Sequence, residues 1–195
     1  GMAYHDTRSA LISAGLREML RGGYDSVGIG SVLSSTGVPK GSFYHYFESK
    51  EAFGCAIIEA YREKWREARK TVFARDDLSP LERLEAHFTD LEREVSWQDA
   101  LGGCLLGNLS QLMASRSERL RSAIETGFLE WQQDLVEVLA AAREAGELPP
   151  SSDLQDLAAL VIEAYEGALI RAKAQASLTP LHRLRLTGLK RLLGA

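Results

Sequence analysis

VPKGSFYHYFESKEAF, Val38 to Phe53, sets Phe43, Tyr44, His45, Tyr46 and Phe47 side by side just after a Pro-Lys-Gly-Ser run. A helix that only fed a core would space its large residues three and four apart, and a strand would alternate them. Here several faces of one short segment are used at once. Phe43 and Phe47 are four apart and can anchor inward with Phe53, which leaves Tyr44, His45 and Tyr46 for a rim. The alternative for Tyr44 is plain core.

Working outward from this stretch, the chain reads as helical. Asp6 or Thr7 can cap a first helix, which Gly22-Gly23 would end. Ser26 can cap a second, running from Val27 to Ser35. Thr36-Gly37 reads as a turn, and Pro39 suits the first turn of a third helix, where its missing N–H removes no bond. Ser49 can cap a fourth helix reaching about Phe73. Helix two, the turn and helix three form a helix-turn-helix, a unit that lays its second helix in the DNA major groove. Lys40 in the first turn could then reach a base edge or a phosphate. Gly41 leaves no side chain between helix and duplex, and Ser42 is a small donor. Tyr44 and His45 can donate to phosphate oxygens. Lys50 opens helix four, whose first N–H groups favour a phosphate.

The polar break ARDDLSP, residues 74–80, is followed by helices expected near 80–96, 103–114, 117–145, 153–176 and 180–193, with Asp153 and Thr179 as caps. The fold class is therefore all-α, with a helix-turn-helix near the N-terminus. Net charge is −4, which argues against a broadly basic nucleic-acid coat but leaves room for a local patch; residues 1–70 are slightly basic and the rest acidic. With two distant cysteines, Cys55 and Cys104, no disulfide framework is legible and a reducing, cytoplasmic setting is expected. No apolar run approaches bilayer length, and GMAYHDTRSA holds no signal core, so no membrane partner is expected. No HExxH, CxxC or nucleophile elbow occurs, so neither enzyme activity nor a metal or other cofactor is expected. A helical protein-interaction adaptor is the rival to DNA binding.

Gly37-Val38-Pro39-Lys40-Gly41-Ser42-Phe43-Tyr44-His45-Tyr46-Phe47 with Ser49-Lys50-Glu51-Ala52-Phe53, preceded by Thr7-Arg8 and Gly23-Tyr24, resembles the DNA-binding head of the TetR family of bacterial transcriptional regulators. The resemblance covers residues 7 to about 58. It implies a three-helix DNA-binding head over residues 1–50, a helical ligand-binding and dimerisation body over residues 51–195, and a homodimer on double-stranded palindromic operator DNA, released by a small-molecule inducer. It maps DNA contacts onto Lys40, Gly41, Ser42, Tyr44, His45 and Lys50, with Ser26 and Thr36 added. The second helix departs from the family pattern, carrying Gly28, Gly30, Ser31 and Val32 where a polar residue and an isoleucine-alanine pair are usual.

In the body, residues 153–176 place Ala164, Gly167 and Ala168 beside Tyr165, and the last helix adds Leu184 and Leu189. Small residues permit close helix approach, so Ala164, Tyr165, Ala168, Leu184 and Leu189 are candidates for the dimer interface; an intramolecular core is the alternative. The resemblance implies a four-helix contact across the two-fold axis. LGGCLLGNLSQLM, Leu101 to Met113, puts Cys104 in a helix's expected first turn, where backbone N–H groups stabilise a thiolate. Asn108 in this apolar helix must find a partner or line a wet cavity; equally, Cys104 can be a small core residue and Asn108 a satisfied amide. Met113, Trp131, Tyr165 and Glu166, with Phe88, Trp97 and Phe128, are candidate cavity walls by residue type. Gly103-Cys104-Leu105 is similar to the subgroup of the family that includes the N-ethylmaleimide reductase regulator. That likeness implies an electrophile or redox sensor in which Cys104 is modified.

Overall fold

The computed structural model describes residues 2–22, 29–97 and 102–195, and among these no strand occurs. In chain order the helices are α1 (Met2–Gly22), α2 (Ile29–Thr36), α3 (Lys40–Tyr46), α4 (Lys50–Phe73), α5 (Pro80–Trp97), α6 (Leu105–Met113), α7 (Glu118–Glu144), α8 (Leu154–Gln175), α9 (Thr179–Arg183) and α10 (Leu189–Leu193), with one π-helical turn, Leu184–Gly188, between the last two. The caps expected at Asp6 or Thr7 are not used, because α1 already starts at Met2. Ser26 lies outside the described residues. Pro39 stands at the N-cap of α3 in extended conformation, one residue earlier than expected. Thr179 is the first residue of α9, and its N–H is accepted by Ser177 Oγ at 3.2 Å.

Two compact units emerge, Gly1–Lys64 with Cys104–Gly127, and Trp65–Gly103 with Phe128–Ala195. The first is built on a core of Leu11, Met19, Val32, Phe43, Phe53 and Ile57, all fully buried. At eight and seven residues, α2 and α3 fall below the roughly 12–15 residues that a helix needs to persist alone. Packing holds them: Phe43, Phe47 and Phe53 meet with ring centroids 4.7–5.5 Å apart. Gly37 ends α2 at φ +71°, and the Val38 N–H returns to Leu33 O at 3.2 Å, a left-handed helix stop that glycine adopts without strain. Gly15 matters for a different reason. A Cβ there would lie 2.6 Å from both Phe53 Cζ and Ile57 Cδ1, so any larger residue would force those buried side chains to shift.

In the second unit, α5 begins with a reciprocal cap: the Ser79 N–H donates to Glu82 Oε1 at 2.8 Å and the Glu82 N–H to Ser79 Oγ at 3.3 Å. Its apolar face contributes Leu84, Phe88 and Val95 to a core completed by Leu135, Val161 and Leu169. The π-helical turn aims Arg185 at α5, with Nε–H donating to Glu92 Oε2 at 3.1 Å. Asp153 caps α8 as expected, accepting from the Asp156 N–H at 3.1 Å.

Candidate nucleic-acid interface and effector positions

α3 separates its rings by face. Phe43 and Phe47 turn inward, while Lys40, Gly41 and His45 are exposed, Tyr44 is 59% exposed, and Ser42 and Tyr46 are half-buried. A Cβ added at Gly41 would meet nothing within 4 Å, so the first turn of α3 presents bare backbone. The result is a short helix with a wholly apolar floor and a rim of one ammonium, hydroxyls and an imidazole. Such a rim can donate to phosphate oxygens and base edges. Ser49 caps α4, its Oγ accepting the Ala52 N–H at 3.0 Å, and this places Lys50 at the first helical position. Thr36 is differently engaged: its hydroxyl is 2.9 Å from Val32 O and donates within its own helix.

α1 adds a contact that spacing did not reveal. Tyr4 stacks on Tyr46 with centroids 4.8 Å apart and meets His45 edge-on at 5.3 Å. One turn later, the Arg8 guanidinium lies over the Phe47 ring, 5.1 Å from its centroid.

Asn108 and Met113 lie on α6 in the same unit, and Cys104 directly precedes it. Gly103 takes φ +88°, a glycine conformation that turns the chain into the helix. Cys104 is the N-cap of α6 rather than a residue of its first turn, and it is buried at 6% exposure. Neither cysteine forms a disulfide. Burial pushes the Cys55 thiol pKa up, opposed in part by Arg119. α6 touches α1, and a Cβ at Gly127 would sit 3.0 Å from the Leu106 methyls. Beyond the end of α6, the Ser117 hydroxyl donates to Glu51 Oε2 at 2.7 Å and accepts the Leu120 N–H at 3.1 Å, so one side chain caps α7 and ties it to the first turn of α4.

In the second unit Trp131 and Tyr165 come together, with centroids 5.7 Å apart, and Phe88 lies 5.5 Å from Tyr165. Beside Phe88 and Trp131 lies His87, absent from the sequence reading. Its Nε2 accepts the Trp131 indole N–H at 3.0 Å, and burial, with Arg69 nearby, lowers its pKa to about 3. Glu166 is half-buried on α8, and Phe128 on α7 is half-buried as well. A separate open groove of about 370 Å³ is floored by Phe73, Val138 and Ala141 and edged by Arg66, Lys70 and Glu137; it contains none of the expected wall residues.

The expected dimer residues divide. Tyr165, Leu184 and Leu189 are buried within the chain, at 2%, 7% and 5% exposure. Ala164 and Ala168 are half-buried. The outward apolar side chains of α8 are Leu160 and Ile170, with Gly167 between them, and Leu186 projects from the π-helical turn. Among the described residues, no cluster of His, Cys, Asp or Glu is arranged to hold a metal ion, and no helix is long and apolar enough to cross a membrane.

Two family models match the chain: residues 11–53 fit the tetR family of bacterial regulatory proteins, and residues 80–187 the tetracyclin repressor-like C-terminal domain. The transcriptional regulator AcuR of Cereibacter sphaeroides is 38% identical over 89% of this chain and 79% of its own. The transcriptional repressor NemR of Escherichia coli is 30% identical over 91% of this chain and 89% of its own. The crystal structure of reduced E. coli NemR superposes with a TM-score of 0.87 at 31% identity, covering 96% of each chain. Head, body and fold thus agree from end to end, and the chain belongs to the TetR family of bacterial transcriptional regulators.

Proposed function

We propose that the protein is a repressor that acts in the cytoplasm as a homodimer, holding palindromic operator DNA until a small inducer releases it. The observation that carries this reading is the division of α3, with its rings buried beneath and Lys40, Gly41, Tyr44 and His45 open above. Residues 1–50 are the DNA-binding part and residues 51–195 the part for ligand and dimerisation. Lys40, Gly41, Ser42, Tyr44 and His45 face the groove and Lys50 a phosphate, with Ser26 and Thr36 at the margin. Thr36 would have to redirect its hydroxyl to donate. The Leu160, Gly167, Ile170 and Leu186 face, with Ala164 and Ala168 beside it, meets the second copy. That copy sets two recognition helices about 34–36 Å apart, one turn of DNA. The test is fluorescence anisotropy on a duplex selected by the protein from a randomised library. Wild type should bind it with a steep salt dependence, and Lys40→Ala should bind it weakly. A protein that selects no duplex refutes the reading and leaves the interaction adaptor.

The inducer is read in two ways. Trp131, Tyr165 and Glu166 on the one hand, and Asn108 and Met113 on the other, offer walls to a non-covalent ligand. Cys104 offers a covalent alternative, favoured by its place at the N-cap of α6. An unsaturated carbonyl compound would add there through carbon–sulfur bond formation, the thiol proton ending on the carbon next to the carbonyl. Cys104→Ser, challenged on DNA with quinones and unsaturated aldehydes and acids, separates the two. A variant that stays bound while wild type leaves identifies the thiol as the sensor; a variant that still leaves removes Cys104 from that role, and an adduct mapped to Cys55 then separates a covalent signal from a non-covalent inducer.

A further inference from the structure

We infer that Tyr4 is a positioning residue for the DNA-facing end of α3: its ring holds His45 and Tyr46 in the orientation in which they meet the duplex. The inference rests on the DNA reading of α3. α3 has seven residues, and its inward anchors are Phe43 and Phe47, four apart on one face. The helix ends directly after the two residues on its other side, His45 and Tyr46, so its own backbone gives them little restraint. Among the described residues, each meets α1 through the ring of Tyr4. Tyr46 lies stacked on it at 4.8 Å and 29°, and His45 meets it edge-on at 5.3 Å and 89°. The two side chains also touch one another, with centroids 5.2 Å apart, so the three rings form a closed cluster.

The arrangement is anchored on α1 rather than carried by a loose arm. α1 begins at Met2, so Tyr4 lies within regular helix. Tyr4 and Arg8 are one turn apart on one face, and Arg8 sits over Phe47. The Tyr4–Arg8 face of α1 therefore grips three consecutive residues at the end of α3. A side chain fixed before binding does not lose its rotamer freedom on the duplex, and that saving appears as affinity. Tyr4 is 38% exposed and His45 is exposed, so the cluster is a surface device and adds little to the core.

The experiment uses the full-length protein and a fluorescein-labelled duplex selected by wild type from a randomised library. Tyr4→Ala should raise Kd by about fivefold to twentyfold, as expected for releasing two side chains, with melting temperature and sedimentation unchanged. Tyr4→Phe keeps the ring and should bind like wild type. His45→Ala combined with Tyr4→Ala should lose less than the product of the two single losses, because one residue acts through the other. Unchanged binding by Tyr4→Ala overturns the inference. So does a Tyr4→Phe variant as weak as Tyr4→Ala, which would mean that the hydroxyl touches DNA itself, and so does a multiplicative double variant. Failure of wild type to select any duplex removes the DNA reading, and this inference with it; in the other outcomes the DNA reading stands.

Discussion

Acid should weaken the fold through His87. The ring is 1% exposed and packed by Phe73, Phe88 and Trp131, with centroids 5.2–6.0 Å away. An indole N–H can only donate, so the imidazole Nε2 that accepts it at 3.0 Å carries no proton. Protonation would set two N–H groups against each other in a dry site near Arg69, which itself donates to Asp134 at 2.7 Å. The folded pKa is accordingly lowered from 6.5 to about 3. Between those values the unfolded chain holds a proton that the folded chain does not. The contribution is complete above pH 6.5 and is lost as pH falls toward 3, at up to about 1.4 kcal/mol per pH unit. Lowering pH from about 7.5 to 5 should therefore remove about 2 kcal/mol of unfolding free energy. Urea unfolding followed by circular dichroism, at fixed protein concentration and several pH values, measures it. His87→Gln keeps an acceptor for Trp131 but cannot titrate. Whatever it costs at neutral pH, its pH dependence should be shallower than wild type's by that same 2 kcal/mol. Equal losses in the two proteins would refute the reasoning.

Gly15→Ala should destabilise the protein by about 1–3 kcal/mol, because the Phe53 ring it would strike is held by Phe43 and Phe47; a lower urea midpoint checks it. Lys50→Ala should weaken binding to all duplexes alike and reduce the salt slope by about one, whereas Lys40→Ala should cost about 1–3 kcal/mol on the selected duplex and relax its sequence preference; anisotropy across salt concentrations distinguishes them. Ile170→Asp, exposed in the chain, should leave helicity intact and convert a dimer to monomer in sedimentation, with operator affinity falling as well. Ser117→Ala should lower stability by about 0.5–2 kcal/mol through loss of the α7 cap, read from thermal melts.

The head was legible because its signals are local. Phe43, Phe47 and Phe53 obey helical spacing, Gly37 marks a stop, and Ser49 is a cap, so each side chain's direction follows from the helix it is in. α8 was legible as a helix but not by face. Its small residues permit approach on either side, and spacing alone could not tell Tyr165, which turns inward with Val161 and Leu169, from Leu160 and Ile170, which turn outward. His87 was hidden because it stands among the glutamates and arginines of α5, a pattern that reads as a solvated surface. Its partner Trp131 is 44 residues away, and no periodicity connects them. Tyr4 carries no signal in sequence because Asp6 and Thr7 offer caps that would start α1 after it; the structure begins that helix earlier, with no acidic residue in its first turn.

Sequence order also concealed where Cys104 belongs. It falls in the body by position, yet Cys104–Gly127 is part of the compact unit that contains α3. On the covalent reading this matters, because a change at the sulfur acts inside the unit that holds α3. Cys104 is 6% exposed, and an adduct larger than the thiol must displace what surrounds it. α6 has little room to yield: Leu106 is already against Gly127, and the turn after α6 is tied to Glu51, next to Lys50. Overpacking of a filled site costs about 1–3 kcal/mol. If the DNA-bound state bears that cost and the released state does not, operator affinity falls by about 5–150-fold. Small modifications should then release DNA poorly and bulky ones well, so across a series of unsaturated carbonyl compounds that all react fully with Cys104, the loss of affinity should rise with adduct volume. A loss independent of size would place the signal in the charge or polarity of the modified sulfur instead.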